Sequence, residues 1–394
     1  MAVRAVRAGA SGGAGAGAAS RADASARADA SARAAGEGGP AVAVRPGLAA
    51  GYHSPQVEVE VRLNTNESPV PPPPGWGEAL QEAVASVAFH RYPDRGATVL
   101  RQAVAEAHGV EVDQVFCANG SNEVIQCLLL AYGGPGRRAA VFEPTYALHS
   151  HIARITGTEV VAGSRRVDFA LDLGQVDRVL DQARPTVTFV CSPNNPTGGA
   201  EPAAVVGEVL ERAPGLVVVD EAYGDFAPWS ALSLLSGGET PGADRLVVVR
   251  TFSKTWALAG LRLGYLVAPP AVVAACQAVS LPYHLDAIKQ VVGRLALRFR
   301  AEMEARVAML VEERRRLAAG LSDLEVRVWP SDANFVLFRP LAGTGPEVWQ
   351  GLLDRSVLVR DCSAWPGLED CLRVTVGTAG ENDRFLSALA EVLA

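Results

Sequence analysis

The segment 251–264, TFSKTWALAGLRLG, sets one lysine eight positions before one arginine, just after the apolar run 246–249. Of the thirty-six Lys and Arg residues, all but Lys254 and Lys289 are arginine, so a lysine here is a chemical exception. Attack on a carbonyl carbon requires an unprotonated nitrogen. Lysine starts near pKa ~10.4 and arginine at ~12.5 or above, so neutrality at pH 7 costs lysine roughly 5 kcal/mol and arginine at least about 7. Burial and nearby cations can shift a lysine by that much, whereas a guanidinium stays charged. The apolar run in front, the hydroxyls of Thr251 and Ser253 and the downstream Arg262 all favour a Schiff-base lysine over a solvated one. Lys289 lies in a charged helical stretch and reads as a surface residue.

An element must hold that lysine in place. Short Val/Leu-rich runs at 115–118, 139–142, 187–191, 216–219, 246–249 and 263–267 alternate with helical segments. That pattern predicts an α/β fold whose mainly parallel sheet is covered by helices on both faces. In such sheets ligands bind beyond the carboxyl ends of the strands. The residues there are NGSN (119–122), EPTY (143–146), SPNNPTG (192–198), DEAY (220–223) and TFSK (251–254). Each is polar or aromatic, and all are expected on one rim.

Together these residues match the needs of pyridoxal phosphate, which takes a lysine, an acid for its ring nitrogen, a phosphate cup and partners for its ring oxygen. Asp220 can supply the acid, and a cationic ring nitrogen would compensate a buried carboxylate. Tyr223 and Asn195 can meet the ring oxygen, and Tyr146 can stack on the ring. Gly120, Ser121 and Asn122 open a helix, where free N–H groups favour a phosphate, and Ser253 and Arg262 complete the cup.

SPNNPTG, DEAY, TFSK with LAGLRLGY, and CLRVTVGT occur in this order. With them the chain, from about residue 45 onward, resembles the fold-type I aminotransferases and specifically the histidinol-phosphate aminotransferase group. The resemblance implies a pyridoxal-phosphate-dependent transaminase acting on L-histidinol phosphate and 2-oxoglutarate. It also implies a homodimer in which Tyr92 reaches the phosphate of the neighbouring subunit's cofactor. Arg373 would then hold the carboxylate of glutamate or the phosphate of histidinol phosphate, with Arg360 and Tyr52 as further anion contacts. Asn122 stands where relatives carry Asp or Asn. The alternatives within the scaffold are an aromatic (phenylalanine) aminotransferase and a threonine-phosphate decarboxylase. A regulatory cofactor-binding protein would need a DNA-binding module, for which the first fifty residues are too simple.

Length and composition are those of an ordinary globular enzyme: 394 residues, 49% hydrophobic, 20% charged. A net charge of -7 gives no general attraction to nucleic acid or to an anionic membrane. Six cysteines without a metal-ligand spacing suggest reduced thiols and a cytoplasmic location. His149 and His151, two apart on a helix, would face different directions, so no metal site is expected. Residues 1–40, with RADASA twice in succession, read as a disordered tail lacking the apolar core of a secretory signal. Along the chain, a period-two alternation at 57–61 suggests an extended edge segment, LNTNESP (63–69) with the prolines at 71–74 a stiff non-helical crossing, 76–89 a helix, and about 286–320 one long charged amphipathic region. The expected domains are 41–90 as an arm and part of a small domain, 91–282 as the large cofactor domain, and 283–394 as the small α+β domain.

Overall fold

The computed structural model describes residues 56–236 and 240–394; the expected tail and Tyr52 lie outside them. The strands in chain order are β1 (Val61–Arg62), β2 (Val115–Ala118), β3 (Arg138–Glu143), β4 (Glu159–Ser164), β5 (Val187–Cys191), β6 (Leu216–Asp220), β7 (Leu246–Thr251) and β8 (Gly264–Val267). Seven form one sheet in the order β2-β8-β7-β6-β5-β3-β4. Its pairings are parallel except those of β8, which runs antiparallel to both β7 and β2. The ends of β2, β3, β5, β6 and β7 therefore share a rim with the start of β8, as the strand-end motifs require.

The central strands β5, β6 and β7 are buried at every position, which explains their unbroken Val/Leu runs. Successive side chains face opposite layers. Leu216 and Val218 pack with Ile125, Leu128 and Val272 from the helices Ser121–Tyr132 and Pro270–Val279. Val217 and Val219 pack with Val176, Leu180, Val206 and Leu210 from Leu173–Ala183 and Ala203–Arg212. Each such fully buried Val or Leu contributes on the order of 1.5–3 kcal/mol relative to exposure.

A smaller sheet follows, built from β9 (Val326–Val328), β10 (Phe335–Pro340), β12 (Arg360–Asp361) and β13 (Leu372–Thr375) in the order β12-β13-β10-β9, all antiparallel. The helices Arg300–Ser322, Gly345–Asp354 and Ala379–Leu393 contribute Leu317, Leu352 and Phe385 to its core. Thr344 and Thr378 start the last two of these with capping boxes to Glu347 and Glu381.

Several expected bounds shift. The alternation at 57–61 pairs only through β1, which lies parallel to β11 (Val357–Leu358). The single amphipathic stretch expected at 286–320 is two helices, Ala287–Leu297 and Arg300–Ser322. The helix expected at 76–89 ends at Ala85. Among the described residues no helix is long and apolar enough to cross a membrane.

A buried ionic cluster fixes the loops beyond β6 and β7. Glu221 accepts from Arg250 Nη2 at 2.7 Å and from Ser230 Oγ at 2.7 Å, while Arg250 Nη1 donates to Asp225 at 2.5 Å. Asp225 also accepts from Thr255 Oγ1 at 2.8 Å, and Arg306 Nη1 donates to the Thr255 carbonyl at 3.0 Å. The residue after Lys254 is thus held at both its hydroxyl and its carbonyl. Glu221→Gln leaves the buried Arg250 short of one full countercharge, so it should lower unfolding stability by about 3 kcal/mol, seen as a lower urea midpoint at unchanged slope.

Candidate active site

The rim encloses a cavity of about 210 Å³ lined by, among others, Lys254, Asp220, Tyr223, Tyr146, Asn195, Arg360 and Arg373. Lys254 sits in the loop leaving β7, and its Nζ donates to the Thr65 carbonyl at 3.0 Å. Burial chiefly, then Arg373 and Arg262, lower its pKa from 10.5 to about 7, with Glu67 opposing them. A large fraction of the amine is therefore neutral at physiological pH, which is the nucleophilic form.

Asp220, the last residue of β6, is 1% exposed. One of its oxygens accepts from the Ala222 N–H at 3.0 Å, and the other meets His149 Nε2 at 2.9 Å. His149 is fully buried and stacked on Phe189 with centroids 4.5 Å apart. It is the orienting partner of Asp220, a role that sequence spacing did not reveal. Among the described residues no group of His, Cys, Asp and Glu could hold a metal ion.

At the start of helix Ser121–Tyr132 no side chain caps the first turn. Gly120 has φ 81, and a Cβ there would lie 2.8 Å from Arg262 Nη2, so only glycine lets the guanidinium close over the helix end. Arg262 Nη1 in turn donates to Ser253 Oγ at 3.1 Å. Gly120, Ser121, Ser253 and Arg262 thus meet at the helix start, an arrangement able to take an anion, with Asn122 beside it accepting from Tyr146 Oη at 3.3 Å.

Two further cations line the cavity: Arg360 and Arg373, at directly opposite positions of β12 and β13. Arg373 is 5% exposed and donates to Asn195 Oδ1 and to the Asn64 carbonyl, both uncharged. Its Nε is buried with no partner among the described residues. Arg360 also lies over the Trp365 ring.

Asn64, Thr65 and Asn66 line the cavity as well, although in the sequence they read only as part of a stiff crossing. Tyr92 does not line it: the side chain is 80% exposed and stacks on Tyr283 at 4.5 Å.

Residues 58–389 match the family Aminotransferase class I and II. The chain belongs to the class I and II aminotransferases. This aminotransferase is 48% identical over 344 residues to the histidinol-phosphate aminotransferase of Nocardia farcinica, covering 85% of this chain and 87% of the relative. It is 46% identical over 354 residues to that of Frankia casuarinae, covering 87% of each. The crystal structure of the histidinol-phosphate aminotransferase from Clostridium acetobutylicum has the same fold, with a TM-score of 0.77 at 22% identity over 84% of this chain and 99% of that one. As an aminotransferase of this family the protein depends on pyridoxal phosphate. The cavity fits that cofactor: it offers a near-neutral lysine, a buried carboxylate, an anion cup at a helix end and a buried guanidinium with an unpartnered N–H.

In the protein stripped of cofactor, acylation of Lys254 by an amine-directed reagent should rise with pH around a midpoint near 7. Arg373→Gln removes a cation that favours the neutral amine, so it should move that midpoint upward. Peptide mapping of the labelled protein at a series of pH values reads both.

Proposed function

We propose that this aminotransferase transfers the amino group of L-histidinol phosphate to 2-oxoglutarate. The observation that carries the reading is the Arg360–Arg373 pair, two cations that line the cavity in addition to Arg262. A phosphate ester holds about -1.5 to -2 charges at pH 7 and suits two guanidiniums, whereas one carboxylate suits one. The substrate named for the relatives has the phosphate this pair can take, and glutamate has the carboxylate that replaces it in the second half of the cycle.

Pyridoxal phosphate, when bound, supplies an aldehyde carbon and a ring that accepts the electrons left when the substrate's α proton departs. Gly120, Ser121 and Ser253 with Arg262 would hold its phosphate, next to Asn122. Asp220, oriented by His149, would keep a proton on the ring nitrogen. Tyr223 and Asn195 would face the ring oxygen, and Tyr146 would cover the ring. Lys254 Nζ would hold the cofactor and serve as the base that moves the substrate's α proton, for which a pKa near 7 is matched to the working pH. Arg373 and Arg360 would hold the phosphate of histidinol phosphate or the α-carboxylate of glutamate, beside the amine-bearing carbon that must meet Nζ.

The homodimer is part of the same proposal. Phe89 at 71%, Tyr92 at 80% and Leu281 at 77% exposure are large side chains on the surface, and Tyr92 stacks on Tyr283. That surface suits a second copy, with Tyr92 reaching the neighbouring cup and Tyr52 adding an anion contact. A cytoplasmic location agrees with six buried free cysteines.

The test mixes the cofactor-loaded enzyme with L-histidinol phosphate, and separately with L-phenylalanine, without keto acid, and follows the cofactor's visible absorbance. Much faster change with histidinol phosphate is expected; equal or faster change with phenylalanine would overturn the substrate assignment. Arg373→Gln should raise KM for histidinol phosphate roughly 10- to 100-fold, the loss of a charge-assisted hydrogen bond, measured in steady-state assays.

A further inference from the structure

Asn66 is 1% exposed and stands at φ 54, a left-handed conformation that asparagine and aspartate tolerate. The structure sets its side-chain amide in a defined orientation. The backbone N–H donates to Thr375 Oγ1 at 3.0 Å, and that hydroxyl donates its own proton to Asn66 Oδ1 at 3.0 Å. The Nδ2 arm is left to donate to Tyr223 Oη at 2.9 Å. Asn334 Nδ2 donates to the Asn66 carbonyl at 3.2 Å, which pins the backbone as well. An amide NH₂ cannot accept, so Tyr223 must direct its own proton elsewhere. The phenol is buried, packed edge-on to Phe335, and lines the cavity with Asp220, Cys191, Lys254 and Arg373. Burial also raises its pKa above the usual phenol range, so it keeps that proton at neutral pH.

We propose that Asn66 is a positioning residue: it sets the direction of the hydrogen bond made by Tyr223, so that the phenol donates to the group bound in the cavity. The inference rests on the reading above, in which Tyr223 faces the cofactor's ring oxygen. A donated hydrogen bond favours the form in which that oxygen is negative, and it holds the pH-dependent change in visible absorbance at lower pH. The chain runs Thr375 to Asn66 to Tyr223 to the ring oxygen, each hydroxyl or amide donating onward.

Asn66→Asp is nearly isosteric and keeps a residue suited to the backbone angle. Its carboxylate can only accept, so Tyr223 would turn its proton away from the cavity. The experiment titrates the visible absorbance of the cofactor-loaded enzyme for Asn66→Asp, Tyr223→Phe, the double variant and Thr375→Val. Asn66→Asp and Tyr223→Phe should each raise the midpoint by about one pH unit, a tenfold change in the equilibrium, and the double variant should go no further. Thr375→Val, which unlocks the amide without adding charge, should shift it the same way by less. Additive shifts in the double variant would mean that the new carboxylate acts only as a charge, and an unmoved midpoint in Asn66→Asp would mean that the amide sets no direction; either result overturns the proposal. An unmoved midpoint in Tyr223→Phe would instead remove the assignment of Tyr223 to the ring oxygen, and the proposal with it.

Discussion

The site depends on one constraint: a lysine ammonium withdrawn from water among cations gives up its proton. Burial is the main cause of the lowered pKa of Lys254, and Arg373 and Arg262 add to it while Glu67 opposes them. Withdrawal from water comes from enclosure: the amine lies in a largely polar cavity at the ends of β6 and β7, strands buried at every position. It also raises the demands on every other polar group nearby, because an unpaired buried group is expensive. Asp220 meets that demand with His149 and a backbone N–H. The Thr65 carbonyl takes the Lys254 amine, and the Arg250–Glu221–Asp225 cluster holds the loop that presents it. The site is therefore rigid where the reacting nitrogen must be placed.

The two proposed anion sites are built from different materials, and the difference suits the tasks proposed for them. The cup at Gly120 is mostly backbone at a helix start, closed by Arg262 where glycine leaves room for it. A rigid cradle fits a group that stays through every cycle. Arg360 and Arg373 are long side chains on short strands, and Arg373 is braced only by neutral oxygens. In the proposed cycle such a pair would take a phosphate in one half and a carboxylate in the other.

Much of this was legible in the sequence, because residues beyond a strand end are tied to that strand. Asp220 follows its Val run directly, and the Lys254 loop follows another, so reading the strands located the rim. What escaped depended on partners distant in the chain. His149 meets Asp220 from 71 residues away, and Asn66 meets Thr375 across 309; no local pattern encodes either contact. β4 was missed for another reason. Its sequence, EVVAGS, mixes small and polar residues, and it lies at the sheet edge with mostly half-buried or exposed positions, so the continuous apolar run that marks a central strand is absent.

The reversed strand β8 is what brings Arg262 to Lys254. The twelve residues that connect β7 to β8, 252–263, hold one short 3-10 turn, Ala259–Leu261, and no α-helix of the kind that a parallel strand next to β7 would use as its crossover. Because β8 instead runs antiparallel to β7, with Gly264 opposite Thr251, the chain can turn at the rim and start the next strand where the last one ended. Arg262, at φ 55 just before that strand, is thereby left beside Ser253 and Gly120. Had β8 been parallel, Arg262 would enter from the far end of the sheet, about 13 Å away for a four-residue strand. Gly264 permits the same closeness from the other side, since a Cβ there would meet Ser121 N at 2.3 Å. A single antiparallel strand in a parallel sheet thus joins the lysine loop to the helix that holds the anion.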